Sequence, residues 1–571
     1  MAGRETNKTG EPVESGVIRK DWRGKIRVAL AYPNQYRVGM SSLGFQTVYQ
    51  QLNAFENVVC ERVFPPEEDA GAATPVLSLE SRQPLAAFDI IAFSISFEND
   101  YSNVLRILKA AGLPLRSENR VFPHPLVIAG GVACMLNPEP ISPFIDCFLI
   151  GEAETLLGGF LERFDPKAGR SSQLNEMART LPGIYVPQNY RVCYHRNGAI
   201  AERIPLNGAP STIRRRYLAD ISETATCSCI LTPDAVFNDS FLVEVSRGCP
   251  HGCRFCAAGF VYRPPRFRPL SMLTQCIAEG RAVSDKIGLV GAAVSDLPGL
   301  VELCGKFSQD DCRLSFSSLR ADNLAPELIA ALKKSRVKTA TVAPDAGTER
   351  LRAVINKGLD EADILNAAEA LVAGGIPNLR LYFMIGLPTE TDADAVGIAE
   401  LCKRIKHRFL KASKIRGRMG KITVSLNCFV PKPFTPFQWV AMEETGVLKY
   451  RIKKIKEILR RVPNVEVHAD MPRWAYIQAV LSRGDRRVAE LLDANLEDKG
   501  NWTRTFKRSP VNPDFYACRE RADDEVLPWD FIDHGIRKSY LIHERDKALQ
   551  GQTTPACPPD FCDQCRRCRN D

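Results

Sequence analysis

The sequence predicts an α/β protein with two successive parallel sheets and a mainly helical C-terminal extension. Two observations predict this fold. In the first and middle parts of the chain, short apolar runs rich in β-formers alternate with amphipathic helical segments, as is typical of sheets covered on both faces. Beyond about residue 445 the chain becomes helical and basic, which indicates a different kind of region.

The composition is that of a globular protein and excludes several other classes. The chain has 571 residues, of which 45% are hydrophobic and 25% are charged, so it is neither a disordered tail, a collagen-like fibre nor a coiled-coil rod. No apolar stretch approaches the roughly 18–20 residues that a membrane helix needs. The polar N-terminus has no apolar signal region. We therefore expect a cytoplasmic protein with no membrane partner.

The first sheet is predicted in a doubly wound parallel α/β domain that follows a short leader. Residues 1–24 are predicted as the polar leader, residues 25–180 as the domain and residues 181–240 as a more irregular linker. Apolar runs separated by amphipathic helices predict the parallel pairing. The strands are predicted in KIRVALAYP, FDIIAFSISFE, PLVIAGG and FIDCFLIG.

The second sheet is predicted over residues 241–445 as a partial (β/α)6 barrel, since six strand–helix units are too few for a full eight-fold barrel. Residues 446–571 are predicted as a basic helical extension with a cysteine-rich tail. The six barrel strands are predicted in FLVEVSRG, IGLVGAAV, RLSFSSLR, TATVAPDAG, NLRLYFMIGLP and KITVSLNCFVP.

The 19 cysteines divide into probable ligands and core residues. Disulfides are a poor explanation in a reducing compartment, so metal ligation and burial remain. Cys249, Cys253 and Cys256 follow the first barrel strand at C-x3-C-x2-C spacing, and their thiolates favour iron–sulfur or zinc. Three thiolates on a four-iron cube would leave one iron open for an exogenous ligand. We expect His251, between the cysteines, in a solvent-facing loop rather than as a fourth zinc ligand.

This cysteine triplet resembles that of the radical SAM superfamily, in which an aromatic residue precedes the last cysteine, here Phe255. The resemblance implies a [4Fe–4S] cluster whose open iron is chelated by S-adenosylmethionine (SAM). It implies a one-electron reductant of the flavodoxin or ferredoxin kind as a partner. One electron from the cluster would cleave SAM to methionine and a 5′-deoxyadenosyl radical.

Further segments extend the resemblance and imply SAM-binding residues. GLVGAAVSD, with Gly291, Ser295 and Asp296, stands where the family places a glycine-rich turn, although it departs from the usual G-G-E. Ile385 and Gly386 in NLRLYFMIGLPTET would face the adenine. For Ser317, Arg320 and Arg380, the alternative to SAM binding is ordinary polarity at the ends of strands.

Another resemblance points to the cobalamin-dependent and methylthiotransferase types of radical SAM enzyme. APDAGTERLRAVINKG resembles a segment common among them, with Asp345 replacing the usual glutamate. The N-terminal domain looks like a cobalamin-binding domain, in which Gly130 and Gly131 would let the backbone approach a flat ligand. It lacks D-x-H-x-x-G, so no histidine would ligate cobalt from below. Base-off cobalamin binding and a scaffold without cofactor both remain open.

The overall layout is similar to an uncharacterised family of fused radical SAM proteins that ends in a cysteine-rich tail. Cys557, Cys562, Cys565 and Cys568 supply four soft ligands for zinc or an auxiliary iron–sulfur cluster; a redox-active or disordered tail is the remaining interpretation. Four thiolates would close the coordination sphere, which favours a structural or electron-relay role. The segments that carry the layout are YPNQYRVGMSSLGFQTVYQQLN, SLESRQPLAAFDIIAFSISFEND, the triplet, FVPKPFTPFQW and the tail.

The net charge of +9 is concentrated in residues 402–421 and 449–461. A solvated helix face and a docking surface for RNA are the two interpretations. We expect a radical SAM enzyme of the transferase class that modifies an unidentified substrate, with cobalamin-dependent methylation as one candidate reaction. The alternatives are a cobalamin-independent, methylthiotransferase-like modification of RNA or protein, and a non-catalytic nucleic-acid-associated metal protein. No catalytic residue is assigned by the sequence.

Overall fold

The computed structural model describes residues 12–66, 75–307, 312–317, 319–415, 419–558 and 565. Cys562 and Cys568 lie outside these residues. Within the described ranges, no helix is both long and apolar enough to cross a membrane.

The N-terminal sheet has the strand order β2-β1-β3-β4-β5-β6. Its first five strands are parallel, and β6 runs antiparallel to β5. The order 2-1-3-4-5 reverses direction between β1 and β3, the place where open parallel sheets bind ligands beyond their carboxyl ends. The strands are β1 (Ile26–Ala31), β2 (Val58–Val63), β3 (Ile90–Ser94), β4 (Leu126–Gly130), β5 (Cys147–Leu149) and β6 (Ile184–Tyr185), and the helices are α1 (Tyr36–Gly39), α2 (Leu43–Ala54), α3 (Tyr101–Ala110), α4 (Val132–Leu136), α5 (Leu157–Arg163) and α6 (Arg170–Thr180).

Both faces of this sheet are buried, as the apolar runs predict. Along β1, Val28 and Leu30 join one hydrophobic cluster, while the alternate residues Ala29 and Ala31 join the other. A strand with period-two side chains can feed two cores only if helices cover both faces. The prediction of a doubly wound parallel sheet is confirmed.

The sheet continues beyond residue 180, where the sequence predicted a linker. Strand β6 closes the sheet edge, and the following hairpin of β7 (Tyr190–Tyr194) and β8 (Ile200–Pro205) is antiparallel. Strand β9 (Ile213–Arg214) pairs with a strand near the C-terminus, residues 532–533. Two-residue strands are too short to show a periodicity, so the sequence pattern could not reveal them.

The six predicted barrel strands all form, and they fall into two parallel sheets. The first has the order β10-β13-β14 and the second the order β15-β16-β17-β18. Short strands β11 and β12 pair beside the first sheet. The bounds are β10 (Phe241–Glu244), β11 (Ser246–Arg247), β12 (Arg266–Phe267), β13 (Lys286–Val290), β14 (Arg313–Phe316), β15 (Thr339–Asp345), β16 (Asn378–Ile385) and β17 (Ile422–Cys428).

One strand was not expected from the sequence. Strand β18 (Val465–Ala469) pairs in parallel with β17, so the second sheet reaches into the region predicted as purely helical. Its residues VEVHA alternate in exposure and carry no buried side chain, which is why they lack the apolar run that marks the other strands. Strand β19 (Ile532–Asp533) is the partner of β9.

Helices cover the barrel strands and form most of the C-terminal region. Helix α13 packs on α12, and α14 packs on α13, against the outer side of the second sheet. The helices are α7 (Ala258–Val261), α8 (Leu270–Arg281), α9 (Leu300–Phe307), α10 (Pro326–Lys334), α11 (Glu349–Val354), α12 (Glu361–Ala373), α13 (Asp392–Ile415), α14 (Thr445–Leu459), α15 (Pro472–Arg483), α16 (Val488–Glu497), α17 (Trp502–Arg508), α18 (Asp514–Ala517) and α19 (Lys538–Leu549).

Candidate active site and the cavity beside it

The cysteine triplet lies in the loop between β11 and α7, at the carboxyl end of the first barrel strand. Gly248, just before Cys249, has a φ of 82°, and a Cβ on it would lie 2.5 Å from the Tyr262 carbonyl oxygen. Only glycine fits there, so this residue lets the chain turn into the loop. Cys253 is buried, and Cys249 and Cys256 are half-buried.

The three thiols influence one another, and Cys249 and Cys256 accept hydrogen bonds from backbone N–H groups. Burial raises the pKa of Cys249 to about 11 and that of Cys253 to about 12. Burial also raises the pKa of Cys256. The backbone N–H groups of Gly259 and Ala258 donate to its sulfur and partly offset this rise. Such donors stabilise thiolates and tune the clusters that thiolates bind.

The chemistry of the three cysteines fits a cubane iron–sulfur cluster. A [4Fe–4S] cube offers a separate iron to each thiolate, so its ligands need not converge on one point. One buried and two half-buried sulfurs in one short loop, two of them with backbone N–H donors, are a suitable donor set for such a cube.

His251 differs from the expectation of a solvent-facing residue. Its Nε2 atom lies 2.6 Å from the Asp296 carboxylate, and both side chains are largely shielded from solvent. Asp296 belongs to the GLVGAAVSD segment, so this contact joins the cysteine loop to the predicted SAM-binding turn. The sequence placed both residues near the site but gave no sign that they pair.

The structure brings together the predicted SAM-binding residues Gly291, Ser317 and Arg320. The Ser317 hydroxyl donates to the Gly291 carbonyl at 2.9 Å and accepts from the Gly291 N–H at 3.2 Å. The Arg320 N–H donates to the Ser295 hydroxyl at 3.2 Å, and its guanidinium pairs with Asp322 at 2.9 Å. Gly291 with Ser317 and Arg320 with Ser295 therefore form two hydrogen-bonded pairs at the carboxyl ends of β13 and β14.

Asp345 replaces the family's glutamate and pairs with the lysine of the same motif. The Lys357 ammonium lies 2.5 Å from the Asp345 carboxylate, and both side chains are largely buried. Lys357 also acts electrostatically on Cys253, whose thiolate it favours. Asp345 has a φ of 62°, a conformation that aspartate tolerates better than bulkier residues do. The motif thus places one buried cation close to the cysteine loop.

Ile385 and Gly386 lie at the carboxyl end of β16, on the same edge of the barrel. Ile385 is fully buried in the core, and its carbonyl accepts from the Phe429 N–H. The Gly386 N–H donates to the Glu390 carboxylate at 2.7 Å. These groups already have protein partners, so adenine binding by this pair stays a prediction.

The C-terminal segment packs against the cysteine loop. The Cys557 N–H donates to the Pro250 carbonyl at 2.7 Å, and Thr554 exchanges two hydrogen bonds with Asn356, which also donates to the Gly252 carbonyl. Cys565 is buried. The two described cysteines of the tail therefore belong to the surroundings of the candidate site; the metal-binding role of all four stays a prediction.

A fully buried arginine fixes this packing and was not anticipated from the sequence. The Arg254 guanidinium pairs with Glu544 of α19 at 3.1 Å and donates to the carbonyls of Ala353 and Val354. Because Arg254 lies between two of the triplet cysteines, the loop is tied to both α11 and α19. A single arginine in a cysteine motif gives no sequence pattern that could reveal such a partner.

A cavity of about 470 Å³ lies between the N-terminal sheet and the first barrel strands. Its N-terminal wall includes Gly130 and Gly131, and its barrel wall includes Gly248 and Gly291. One cavity therefore touches the predicted cobalamin-binding and SAM-binding residues. None of the described residues that line it is a histidine, which fits the absence of a lower cobalt ligand in the sequence.

The two glycines of the N-terminal wall have different surroundings. A Cβ on Gly131, which has a φ of 106°, would lie 2.4 Å from the Ile95 carbonyl oxygen. A Cβ on Gly130 would make only ordinary contacts, the nearest at 3.5 Å to the Leu149 carbonyl. Gly131 is thus required by the packing of the chain on itself, whereas Gly130 is not. Ligand binding by either residue stays a prediction.

An ion network that the sequence did not reveal joins the two walls. Glu152 of the N-terminal domain pairs with Arg247 at 2.9 Å and with Arg266 at 2.7 Å, both from the barrel, and Glu154 pairs with Arg247 at 2.6 Å. Burial alone would raise the pKa of Glu152, but the guanidinium groups, Arg266 first, outweigh it and lower the pKa. The two domains are therefore held together by charge at the cavity rim.

Two family models match the chain. Residues 44–187 match the model described as radical SAM proteins, N-terminal, and residues 243–402 match that of the radical SAM superfamily. The second match contains the cysteine triplet and the Gly291 turn. The first covers most of the N-terminal sheet, including Gly130 and Gly131.

Two curated proteins are similar in sequence. An uncharacterized protein, MJ0966 of Methanocaldococcus jannaschii, is 32% identical over 522 residues, which are 90% of this chain and 98% of that protein. The threonylcarbamoyladenosine tRNA methylthiotransferase MtaB of Treponema pallidum is 23% identical over 237 residues, which are 39% of this chain and 48% of that protein.

Solved structures show only distant likeness. The radical SAM methyltransferase TsrM of Kitasatospora setae, with cobalamin and a [4Fe–4S] cluster bound, is 12% identical and has a TM-score of 0.45, covering 73% of this chain and 74% of its own. The cobalamin-dependent radical enzyme OxsB is 13% identical with a TM-score of 0.35, covering 88% and 60%. At these scores, neither likeness supports a conclusion about this protein.

Proposed function

The chain belongs to the radical SAM superfamily, and on this premise we propose that it is a transferase that methylates its substrate with the help of cobalamin. The observation that carries the proposal is the single cavity whose walls include Gly130 and Gly131 on one side and Gly291 on the other. A corrinoid in this cavity would adjoin the SAM-binding turn. We expect a reductant of the flavodoxin or ferredoxin kind to supply electrons.

Each part of the site has a role in this proposal. Cys249, Cys253 and Cys256 would hold the [4Fe–4S] cluster, with which bound SAM supplies the radical and methyl-group chemistry. Lys357 offsets the negative charge of the thiolates from a buried position. Gly291 and Ser317 orient the turn between the cluster loop and the cavity.

The walls of the cavity suit a large ligand that is held by shape. The N-terminal wall is mainly apolar and includes Leu30, Ile128 and Leu149. The charged side chains lie at the rim where the two walls meet, Glu152 and Glu154 from the N-terminal domain and Glu244 and Arg247 from the barrel. Ligand sites are mostly apolar with a few fixed polar groups, which is the distribution found here. The closed ion network of Glu152 would keep water away from that rim.

A second candidate is cobalamin-independent modification of the methylthiotransferase type. The similarity to MtaB, which spans 237 residues, and the segment around Asp345 favour it. In this case the cavity would take another ligand or substrate. The two candidates share the cluster and differ in the N-terminal domain, so they can be separated by experiment.

The test compares wild type with Cys253→Ala after anaerobic reconstitution with iron and sulfide. We expect wild type to show [4Fe–4S] absorbance, to convert SAM after reduction with dithionite and to retain the corrin absorbance of added hydroxocobalamin through gel filtration. Cys253→Ala should lose cluster absorbance and SAM conversion to background but keep the corrinoid, because the cavity is intact. The buried, isolated Cys304 serves as control: Cys304→Ala should keep all three properties.

Different failures count against different parts of the proposal. SAM conversion without corrinoid retention would reject methylation through cobalamin and leave the methylthiotransferase-type reaction. An unchanged cluster spectrum in Cys253→Ala would reject the ligand assignment itself.

A further inference from the structure

The two basic segments of the chain have different surroundings in the structure. On α13, Lys403 pairs with Glu400, Arg404 with Glu361, and Arg408 with Glu369. The glutamates at 361 and 369 belong to the neighbouring helix α12. This basic segment is therefore largely neutralised within the fold, and it is a solvated ion-paired surface.

The second basic segment keeps its charge. Lys449, Lys453, Lys456 and Arg460 follow one another at helical spacing and line one groove along α14. Of these, Lys453 has a carboxylate neighbour, Glu457, at 3.9 Å. For the other three, the described part of the structure contains no carboxylate within ion-pair distance.

Three adjacent grooves meet at Arg473, the second residue of α15. They have volumes of about 620, 570 and 520 Å³, and Arg473 lines all of them. We call the three together the Arg473 surface; its cations without a recorded carboxylate partner are Lys449, Lys456, Arg460, Arg473 and Lys507.

Acidic residues in the same grooves do not cancel this charge. Asp514 accepts a hydrogen bond from the Tyr476 hydroxyl, and Glu457 is engaged by Lys453. Glu444 and Asp470 are the other carboxylates that line the grooves. Cations therefore exceed anions on the Arg473 surface, which predicts a negatively charged partner.

Aromatic rings accompany the cations. Trp474 is 39% exposed, and the Arg473 guanidinium lies 5.2 Å from its ring centroid. Tyr476 and Phe506 are half-buried and line one of the grooves with ring centroids 5.7 Å apart, and Phe506 packs on the buried Trp502 at 5.3 Å. Proteins that bind single-stranded nucleic acid combine a row of cations along the phosphate backbone with aromatic rings that stack on the bases.

The Arg473 surface begins at the catalytic edge of the barrel. Strand β18 is parallel to β17, so the residues after β18, which lead to Arg473, emerge at the edge where the parallel strands end. At the same edge, Leu448 of α14 and Glu443 pack directly on Gly386. A single-stranded nucleic acid bound in these grooves would therefore run toward the carboxyl ends of the barrel's β-strands.

From this charge, these rings and this position, we propose that the Arg473 surface binds single-stranded RNA and that RNA is the substrate class of the enzyme. The substrate assignment rests on the proposed function, whereas RNA binding itself does not. Lysine and arginine side chains contact phosphates, and Trp474 stacks on a base. Binding is sequence-tolerant and depends on salt.

The test measures fluorescence anisotropy of a labelled mixed-sequence single-stranded RNA at several salt concentrations, with the full chain. Lys449→Glu/Arg473→Glu should weaken binding by about tenfold or more, because two phosphate contacts become repulsive. Lys456→Ala, which is milder, should reduce the slope of log affinity against log salt by about 0.7. Trp474→Ala should weaken RNA binding about fivefold or more and leave binding of heparin, a polyanion without bases, unchanged.

The matched control reverses the same number of charges on α13. Lys403→Glu/Lys411→Glu should bind RNA within about twofold of wild type, since only non-specific charge changes. Thermal unfolding of each variant shows that it is folded. Conversion of SAM without RNA should be unchanged in all surface variants, so a failure of the radical SAM proposal is seen separately from a failure of RNA binding.

Three results would overturn the proposal: no binding of RNA by wild type at low salt, an equal loss in the α13 control, or RNA binding that is insensitive to Trp474→Ala. If Trp474→Ala leaves RNA binding unchanged and wild type binds heparin as tightly as RNA, the surface attracts any polyanion, for example an acidic protein.

Discussion

The two walls of the central cavity are built from parallel strands but present different chemistry. The N-terminal wall, at the carboxyl ends of β1, β3 and β4, is apolar and contains Gly130 and Gly131. The barrel wall presents Glu244, Ser246 and Arg247, next to the cysteine loop. An apolar wall can select a large ligand by shape, whereas a charged wall can fix a polar cofactor.

The walls meet at Glu152, which belongs to the apolar side but pairs with the charged side. Its carboxylate contacts the guanidiniums of Arg247 and Arg266 and lies 3.8 Å from that of Arg215, which is fully buried. The carboxylate also accepts the Leu218 N–H at 3.0 Å. If the two domains unfold together, we expect Glu152 to contribute most to that coupling.

The largest expected effect is therefore that of Glu152→Gln. The substitution keeps the shape but removes one carboxylate that three shielded guanidiniums share, which should lower the free energy of unfolding by about 3–5 kcal/mol, although Arg247 keeps Glu154 and Glu244. Urea unfolding followed by circular dichroism measures it. Two separated transitions in the variant would show that the network couples the domains.

The control for Glu152 is an exposed ion pair in the same domain. The Glu162 carboxylate lies 4.0 Å from the Arg163 guanidinium, with most of its side chain in solvent. Glu162→Gln should therefore change the free energy of unfolding by less than about 0.5 kcal/mol. If Glu152→Gln is equally mild, the two walls are held together by apolar packing instead of charge.

The next effect compares neighbouring glycines of the apolar wall. Gly131→Ala places a Cβ against the Ile95 backbone at a positive φ, which should cost about 1–3 kcal/mol of backbone strain. Overpacking adds to this loss. Gly130→Ala meets only ordinary contacts and should stay within about 1 kcal/mol of wild type. Thermal unfolding of the two variants tests this; equal losses would mean that the chain around Gly131 shifts to accommodate the added Cβ.

Much of the fold could be predicted because strands such as β1 and β16 are buried apolar runs with recognisable periodicity. Strand β18 was missed because it lies at a sheet edge and alternates half-buried with exposed residues. The cysteine triplet was visible because its chemistry lies in local spacing. The partners of Arg254 and Glu152 were not visible, since each lies far away in sequence and is fixed only by tertiary packing.

The two basic segments show the same limit for charge. Their sequences are similarly rich in lysine and arginine, and composition alone gives no reason to distinguish them. The structure separates them through α12, whose Glu361 and Glu369 neutralise one segment and not the other. Net charge of a segment is a property of sequence, whereas available charge depends on which helices are neighbours.

The last expected effect is a pH dependence of stability that arises from one buried acid in each of the two domains. Burial raises the pKa of Glu390, beside Gly386 on the barrel side, to about 7, and burial likewise raises the pKa of Asp100, on the N-terminal side, to about 7. A raised carboxyl pKa means that the folded state binds its proton more tightly than the unfolded state. The stability that each group contributes is therefore present at low pH and is lost as pH rises from about 4.5 to 7, by about 1–3 kcal/mol per group.

Glu390 and Asp100 differ in the interaction that opposes the rise in pKa, and this difference can be measured. Glu390 pairs with Arg451 at 2.9 Å, whereas Asp100 accepts a hydrogen bond from the Asn34 amide. In urea unfolding at pH 5 and pH 8, Glu390→Gln and Asp100→Asn should each show a smaller loss of stability with rising pH than wild type. At pH 8, Glu390→Gln should also be less stable than Asp100→Asn, because at that pH the substitution leaves the largely buried Arg451 with one carboxylate fewer. Variants whose pH dependence matches wild type would show that neither carboxyl titrates between pH 5 and pH 8.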